Sequence, residues 1–283
     1  MLLKFTPLLK TLIWGSEKWL LSGVRGSESE VAEGPLAGRT LNGVYGGEFP
    51  LLIKLIDARD DLSIQVHPGD ELAAKRHNSK GKTEMWYITG AQEGARLLAG
   101  FSRRISPDEY ERLVAEDAIA GALAGHKVGR GDVFYIPSGR VHAICGGCSL
   151  VEIQENSDIT YRIYDYSRPG LDGKPRELHT ELAKEAIDYN VYPSYRTAYK
   201  RPRNGGTMLV KDSHFVTSLY SLDRPAALEA PENSRFLALV CTGGAGSADG
   251  IRFAEGEALL ILDHDTPVEI RPEGQIEFLT TYL

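Results

Sequence analysis

SIQVHPGDELAAKRHNSKGKTE, from Ser63 to Glu84, is the stretch that decides how this chain folds and what it can hold. A strand sends alternate side chains to opposite faces, so Gln65 and His67 leave LSIQVHP on one side. The same parity puts Lys82, Glu84, Trp86 and Ile88 together along KTEMWYI. Between the two strands, PGDELAAKRHNSKGK opens as a turn with a helical turn and continues as loop. His77 lies there among Arg76, Asn78 and Lys80 and reads as a solvated surface residue. Two short strands thereby aim an amide, an imidazole, an ammonium and a carboxylate into one space. One further imidazole would complete a donor set suited to zinc or a similar divalent ion.

GDVFYIPSGRVH, from Gly131 to His142, offers that imidazole. VFYI is a strand, Pro137 and Gly139 fix a turn, and Val141 begins the return strand. The spacing of Gly131, Pro137, Gly139 and His142 matches the second motif of the cupin superfamily. The match ends there, with Gly146 where cupins often carry Asn. The first cupin motif, two His and a Glu in quick succession, is absent: Gln65-Val66-His67 is followed by Glu84 only after a loop of sixteen residues.

LSIQVHP, GKTEMWYI, IPSGRVHAI and VEIQENSDITYRIYDY together resemble type I mannose-6-phosphate isomerase in its short bacterial form. The resemblance runs from about Trp14 to Tyr166, and FPLLIKLIDARDDLSIQVHP is among its most specific parts. Beyond about Lys200 it rests on strand pattern alone. It implies an all-β fold with helical insertions, built as two cupin-like jelly-roll barrels. It also implies one zinc ion per chain and interconversion of mannose 6-phosphate and fructose 6-phosphate through an enediolate. The implied zinc ligands are His67, Glu84 and His142, with Gln65 as a weaker fourth. Glu152, Arg162 and Lys82 fall on the family's catalytic positions; Ser63, Lys82 and Arg162 fall on its substrate-binding ones. Glu152 suits a proton carrier if a dry pocket raises its pKa toward neutrality. Arg162 stays charged, so it would stabilise the enediolate or hold phosphate. A buried Glu152–Arg162 ion pair is the competing account of those two residues. Lys82 could equally act as counter-charge to a buried carboxylate.

Two other functions share this donor set. Two His and a carboxylate with open positions also describe an iron-dependent oxygenase, and a non-catalytic sugar-binding cupin needs the barrel alone. The clustering of Lys82, Glu152 and Arg162 around the metal positions favours the isomerase.

At 283 residues with 42% hydrophobic and 25% charged content, the chain can bury a sizeable core or two moderate ones. A net charge of −7 argues against a nucleic-acid binder. No apolar run approaches a membrane span. MLLKFTPLLKTLIWG is interrupted by Lys4 and Lys10 and reads as mature protein, so a cytoplasmic location is expected, with a small phosphosugar as partner and a monomeric or homodimeric state. The Cys145–Cys148 pair lies in a Gly-rich hairpin, away from any helix N-terminus, and reads as incidental.

Along the chain, Trp14 and Trp19 read as packing residues, and PLLIKLIDA as a buried strand. Ser106-Pro107-Asp108-Glu109 starts a helical insertion expected over about 105–125, with His126 just beyond it. HTELAKEAIDYN reads as a second helix with His179 at its edge, in a surface or capping role. PSYRTAYKRPRNGG is the linker candidate. The expected organisation is a catalytic barrel over 1–200 and a smaller, metal-free β domain over 201–283. In that domain GEALLILDHDTPVEI looks like a degenerate copy of the His142 motif, with His264 in its turn.

Overall fold

The computed structural model describes residues 1–232, 234–262 and 266–283; His264 therefore lies outside the described residues. The protein is mostly β with few helices. Its chain separates into two compact units: Leu9–Lys18 with Leu51–Arg196, and Met1–Leu8 with Trp19–Pro50 and Thr197–Leu283. The break at Arg196 lies near the expected one, but the expected contiguous 1–200 domain is not what forms. The reason is strand pairing. Leu2–Thr6 runs antiparallel to Ala258–Leu262, and its end pairs with Glu30–Val31, so N-terminal strands complete the C-terminal sheet. Among the described residues no helix is long and apolar enough to cross a membrane.

The unit containing Leu51–Arg196 is built on two antiparallel sheets. One runs in the order Val133–Ile136, Glu84–Ala91, Cys148–Glu155, Leu51–Ala58, Gly15–Ser22, Leu8–Leu12. The other runs Tyr161–Tyr164, Ile64–Val66, His142–Ile144, Arg96–Phe101, Leu123–Lys127. Period-two alternation sorts their side chains into two environments. Trp86, Ile88, Phe134 and Ile136 from the first sheet meet Leu97, Ala99 and Ile144 from the second in one buried cluster. Ile64, Val66, Leu98, Ala143, Tyr161 and Ile163 point the opposite way, into a second cluster with helical residues such as Tyr110, Leu113 and Ala183. Gln65, His142 and Arg162 therefore share the inner face.

The helical cover starts as its sequence dictates. Ser106 accepts from the Glu109 N–H at 3.1 Å, Pro107 sits at the first position, and Asp108 and Glu109 occupy the first turn. The helix ends at Ala115, earlier than expected. After a short 3₁₀ turn, Leu123–Lys127 becomes a strand paired with Arg96–Phe101. The Ala- and Gly-rich run has no side-chain preference strong enough to oppose a free sheet edge. A second helix covers Thr180–Ala186.

The other unit carries a sheet in the order Gly205–Lys211, Val216–Leu222, Val268–Tyr282, Phe236–Ala248, Ala258–Leu262, Leu2–Thr6, Glu30–Val31. Ala226–Leu228 and Ile251–Ala254 attach to its two long strands, whose pairing contains register shifts. Its core gathers Leu237, Leu239, Phe253, Leu259, Ile261, Ile270, Ile276 and Phe278.

Candidate active site

Two rows of side chains face each other across the sandwich. On the five-stranded sheet, Arg162 pairs with Gln65 and Gln65 with His142, so three neighbouring strands present guanidinium, carboxamide and imidazole side by side. On the six-stranded sheet, Lys54 pairs with Glu152 and Glu152 with Trp86. Glu84 lies two residues before Trp86 on the same face, and His67 follows Ile64–Val66. The turn before His142 is anchored to the same point, because the Gly139 N–H donates to the His67 carbonyl at 2.8 Å. Gly139 has a φ of 85°, and a Cβ there would lie 3.0 Å from the Ala186 carbonyl oxygen, so the turn needs glycine.

His67, Glu84 and His142 offer ligand atoms all within 4.8 Å of one another, and all three residues are buried. His67 Nε2 lies 3.5 Å from Glu84 Oε2, and His142 Nε2 lies 3.4 Å from Glu84 Oε1. Each imidazole gives its other nitrogen to a carbonyl: Nδ1 of His67 to Ile159 at 2.9 Å, and Nδ1 of His142 to Arg140 at 2.7 Å. A carbonyl only accepts, so both rings carry the proton on Nδ1 and turn an Nε2 lone pair toward Glu84. Such backbone partners orient imidazoles for a metal. Gln65 is next to them, with its amide nitrogen 3.3 Å from His142 Nε2; a half-turn of the carboxamide presents oxygen there instead. Burial first, and then Lys82, hold the His67 imidazole well below its ordinary range. Burial holds His142 down to about 3. Both rings are therefore neutral and ligand-competent at pH 7.

Glu84 Oε1 is a buried carboxylate oxygen without a hydrogen-bond partner, and burial followed by the charge of Glu152 pushes the Glu84 carboxyl up to about 7. The orphaned Oε1 lies beside the His142 Nε2 lone pair, and Oε2 beside that of His67, so one carboxylate and two imidazoles converge as electron-pair donors. A divalent cation fits that set. The Lys82 ammonium supplies positive charge at the same point, 2.9 Å from His67 Nε2 and bonded to Glu84 Oε2. Of the roles anticipated for Lys82, its contacts correspond to that of counter-charge to a buried carboxylate.

Glu152 departs from expectation. It is buried, but its carboxylate accepts from Lys54 Nζ at 2.9 Å and from Trp86 Nε1 at 2.9 Å. Burial alone would raise its pKa; Lys54 and then Lys82 outweigh that and hold it down to about 2. The dry pocket does not raise Glu152, because the carboxylate is ion-paired there, and its partner is Lys54 and not the expected Arg162. Lys54 is the residue that sequence reasoning missed. A single Lys inside the apolar run PLLIKLIDA was the available signal.

Arg162 is half-buried; its Nη1 donates to the Glu177 carbonyl at 2.8 Å, while its buried Nε has no partner. Ser63 is buried and precedes the Gln65 strand. His77, exposed as expected, reaches Tyr161 Oη at 2.8 Å. His126 lies within the Leu123–Lys127 strand, and His179 Nδ1 accepts from the Arg162 N–H at 3.2 Å. Cys145 and Cys148 are buried and free, with thiols pushed up by burial to about 11 and about 12. They are poor nucleophiles.

Comparisons with known proteins converge on one family. Residues 21–87 match the family described as "Phosphomannose isomerase type I, catalytic domain". Over 272 residues the chain is 34% identical to mannose-6-phosphate isomerase ManA of Bacillus subtilis (strain 168), covering 86% of this chain and 85% of that protein. The chain belongs to the type I phosphomannose isomerase family. A mannose-6-phosphate isomerase of Streptococcus mutans is 31% identical over 241 residues, covering 81% of this chain and 76% of that protein. The crystal structure of the mannose 6-phosphate isomerase from Bacillus subtilis superposes with a TM-score of 0.89 at 30% identity, covering 100% of this chain and 99% of that one. The family match at residues 21–87 takes in Gln65, His67, Lys82 and Glu84 of the site just described.

Proposed function

We propose that this protein is a zinc-dependent aldose–ketose isomerase that interconverts mannose 6-phosphate and fructose 6-phosphate in the cytoplasm. The observation that carries the metal dependence is the buried Glu84 carboxylate, one oxygen of it without a partner, set between two imidazoles whose Nδ1 protons are fixed on carbonyls. His67, Glu84 and His142 would hold the ion, and Gln65 would offer a readily displaced fourth donor. When bound, the ion polarises substrate oxygens. Lys82, in contact with two of the ligands, serves the reacting end of the sugar. Arg162, beside Gln65, faces the negative charge that develops on an enediolate or the charge of the phosphate. Glu152 stays ionised, aligned by Trp86 and Lys54, as the fixed negative wall of the site. The second unit, with its apolar described core, we read as structural and metal-free.

A coupled assay of fructose 6-phosphate formation from mannose 6-phosphate tests this reading. Turnover that disappears with chelator and returns with zinc is expected; oxygen consumption in place of isomerisation would show an oxygenase instead. Arg162→Ala should retain metal while turnover falls about 10- to 100-fold, the loss of a charge-assisted contact.

A further inference from the structure

The turn that delivers His142 is held from behind by a segment far from it in sequence. His142 Nδ1 donates to the Arg140 carbonyl at 2.7 Å, so the peptide between Arg140 and Val141 sets the angle of the ring. That peptide is anchored on both flanks. The Arg140 N–H donates to the Pro137 carbonyl at 3.1 Å, and the Val141 carbonyl accepts from the Gly100 N–H at 2.8 Å. The Arg140 side chain adds a third hold: its Nη1 donates at 2.9 Å to the carbonyl of Tyr135, on the strand leading into the turn. Its guanidinium also lies over two rings, with Cζ 4.8 Å from the centre of Tyr192 and 5.1 Å from that of Tyr195. Those rings stand edge to face with centroids 5.9 Å apart, forming a notch for a planar cation.

Tyr192 and Tyr195 follow the Thr180–Ala186 helix, and their segment is tied to the turn at several points. The Asp188 N–H donates to the Gly139 carbonyl at 2.8 Å, and Tyr192 Oη donates to Asp188 Oδ2 at 2.7 Å. Tyr195 Oη donates to the Phe101 carbonyl at 2.9 Å and accepts from the Tyr192 N–H at 3.3 Å. Tyr195, at the head of the expected linker, is buried. Gly100 makes room for it: its φ is 71°, and a Cβ there would lie 2.0 Å from the Tyr195 ring. The glycine that bonds the Val141 carbonyl thus also admits the ring that holds Arg140. His67 is oriented separately, with its Nδ1 on the Ile159 carbonyl.

We propose that the Arg140 side chain, seated on Tyr192 and Tyr195, is a positioning residue: it fixes the carbonyl on which His142 rests and thereby sets the affinity of the zinc site. This rests on the metal-site reading and adds what aims one of its ligands. Any residue would supply the carbonyl; the guanidinium and its two rings keep that carbonyl from turning away. The lone pair of His142 Nε2 then points at the metal position before the metal arrives.

The test begins with calorimetric titration of metal-free full-length protein with zinc. Arg140→Ala should weaken zinc binding about 10- to 100-fold, the range for losing a ligand's supporting partner. Tyr192→Ala should weaken it in the same direction, whereas Tyr192→Phe, which keeps the ring, should stay within about threefold of the wild type. A second readout is exchange of imidazole N–H protons with water, followed by NMR of histidine-labelled, zinc-loaded protein. In Arg140→Ala the His142 Nδ1 proton should exchange about tenfold faster or more, with that of His67 unchanged. A general loss of stability would speed both. Wild-type zinc affinity in either alanine variant, or equal acceleration at both imidazoles, would overturn the proposal while zinc uptake by the wild type leaves the metal reading intact. No uptake by the wild type would remove the metal reading and this proposal with it. Should Arg140→Ala fail to fold, Tyr192→Ala decides alone, because Tyr192 is exposed and its truncation opens no interior cavity.

Discussion

The interior around Trp86 and the interior around Phe278 are both antiparallel sheet, yet they bury different chemistry. The first encloses Lys54, His67, Lys82, Glu84, His142 and Glu152, all of them buried. The second stacks Tyr220 on Phe278 at 5.3 Å between ring centroids and sets Phe253 edge-on to Phe278 at 6.1 Å, and its buried Thr217 is matched by Thr281 at 3.0 Å. Apolar burial is favourable on its own, and the buried Glu277 carboxylate of the second interior is matched by Arg201 and Thr242. Buried charges are tolerated only when paired. The first interior leaves one carboxylate oxygen unmatched, and that is the mismatch a cation at the proposed site would relieve.

The contrast breaks most readily at the metal site. His142→Ala should remove metal and activity together, with turnover down about 10³-fold or more, since several kcal/mol of charge stabilisation depend on the ion. Full metal content by elemental analysis in that variant would separate His142 from the ligand set. Next in size are two stability losses of different origin. Glu152→Gln should destabilise by roughly 3–5 kcal/mol by leaving the buried Lys54 charge without its closest partner, and Lys54→Met in the same chain should recover much of it. Phe278→Ala should cost a similar 3–5 kcal/mol through a cavity, with no such rescue and no change in metal per chain. Denaturant titration of the three variants checks both claims.

Acid sharpens the comparison further. Glu152 is held at about 2 in the folded protein, below the unfolded value of 4.5, so its contribution is present above about pH 4.5 and is lost as pH falls toward 2. His142, held at about 3, acts in the same direction between pH 6.5 and 3. Glu84, raised to about 7, opposes them between pH 7 and 4.5, because there the folded state binds the extra proton. In metal-free protein, amides of Cys148–Glu155 should therefore lose hydrogen-exchange protection at a higher pH than those of Phe236–Ala248. Simultaneous loss would contradict the assignment. The smallest effect belongs to the surface: Arg112→Ala, which breaks a 3.0 Å pair with Glu116 at over half exposure, should shift stability by less than about 1 kcal/mol.

The convergence of His67, Glu84 and His142 was legible because a strand has a strict period. Gln65 and His67 share parity, as do Glu84 and Trp86, and a Pro–Gly turn announces His142. Lys54 was hidden because a buried strand is recognised by its apolar neighbours, which mask one charged position. The seating of Arg140 on Tyr192 and Tyr195 joins residues far apart in sequence, which no side-chain pattern signals. The unit boundary was misread for the same reason: pairing of Leu2–Thr6 with Ala258–Leu262 joins residues at opposite ends of the chain. Local pattern reports faces and turns, whereas partners distant in sequence are set by sheet closure.

Calorimetric titration of the metal-free protein with zinc, run beside Glu84→Gln, tests the central claim most directly. One site per chain in the wild type and loss of that site in the variant is the predicted result. Equal uptake by both proteins, or no uptake by the wild type, would contradict it.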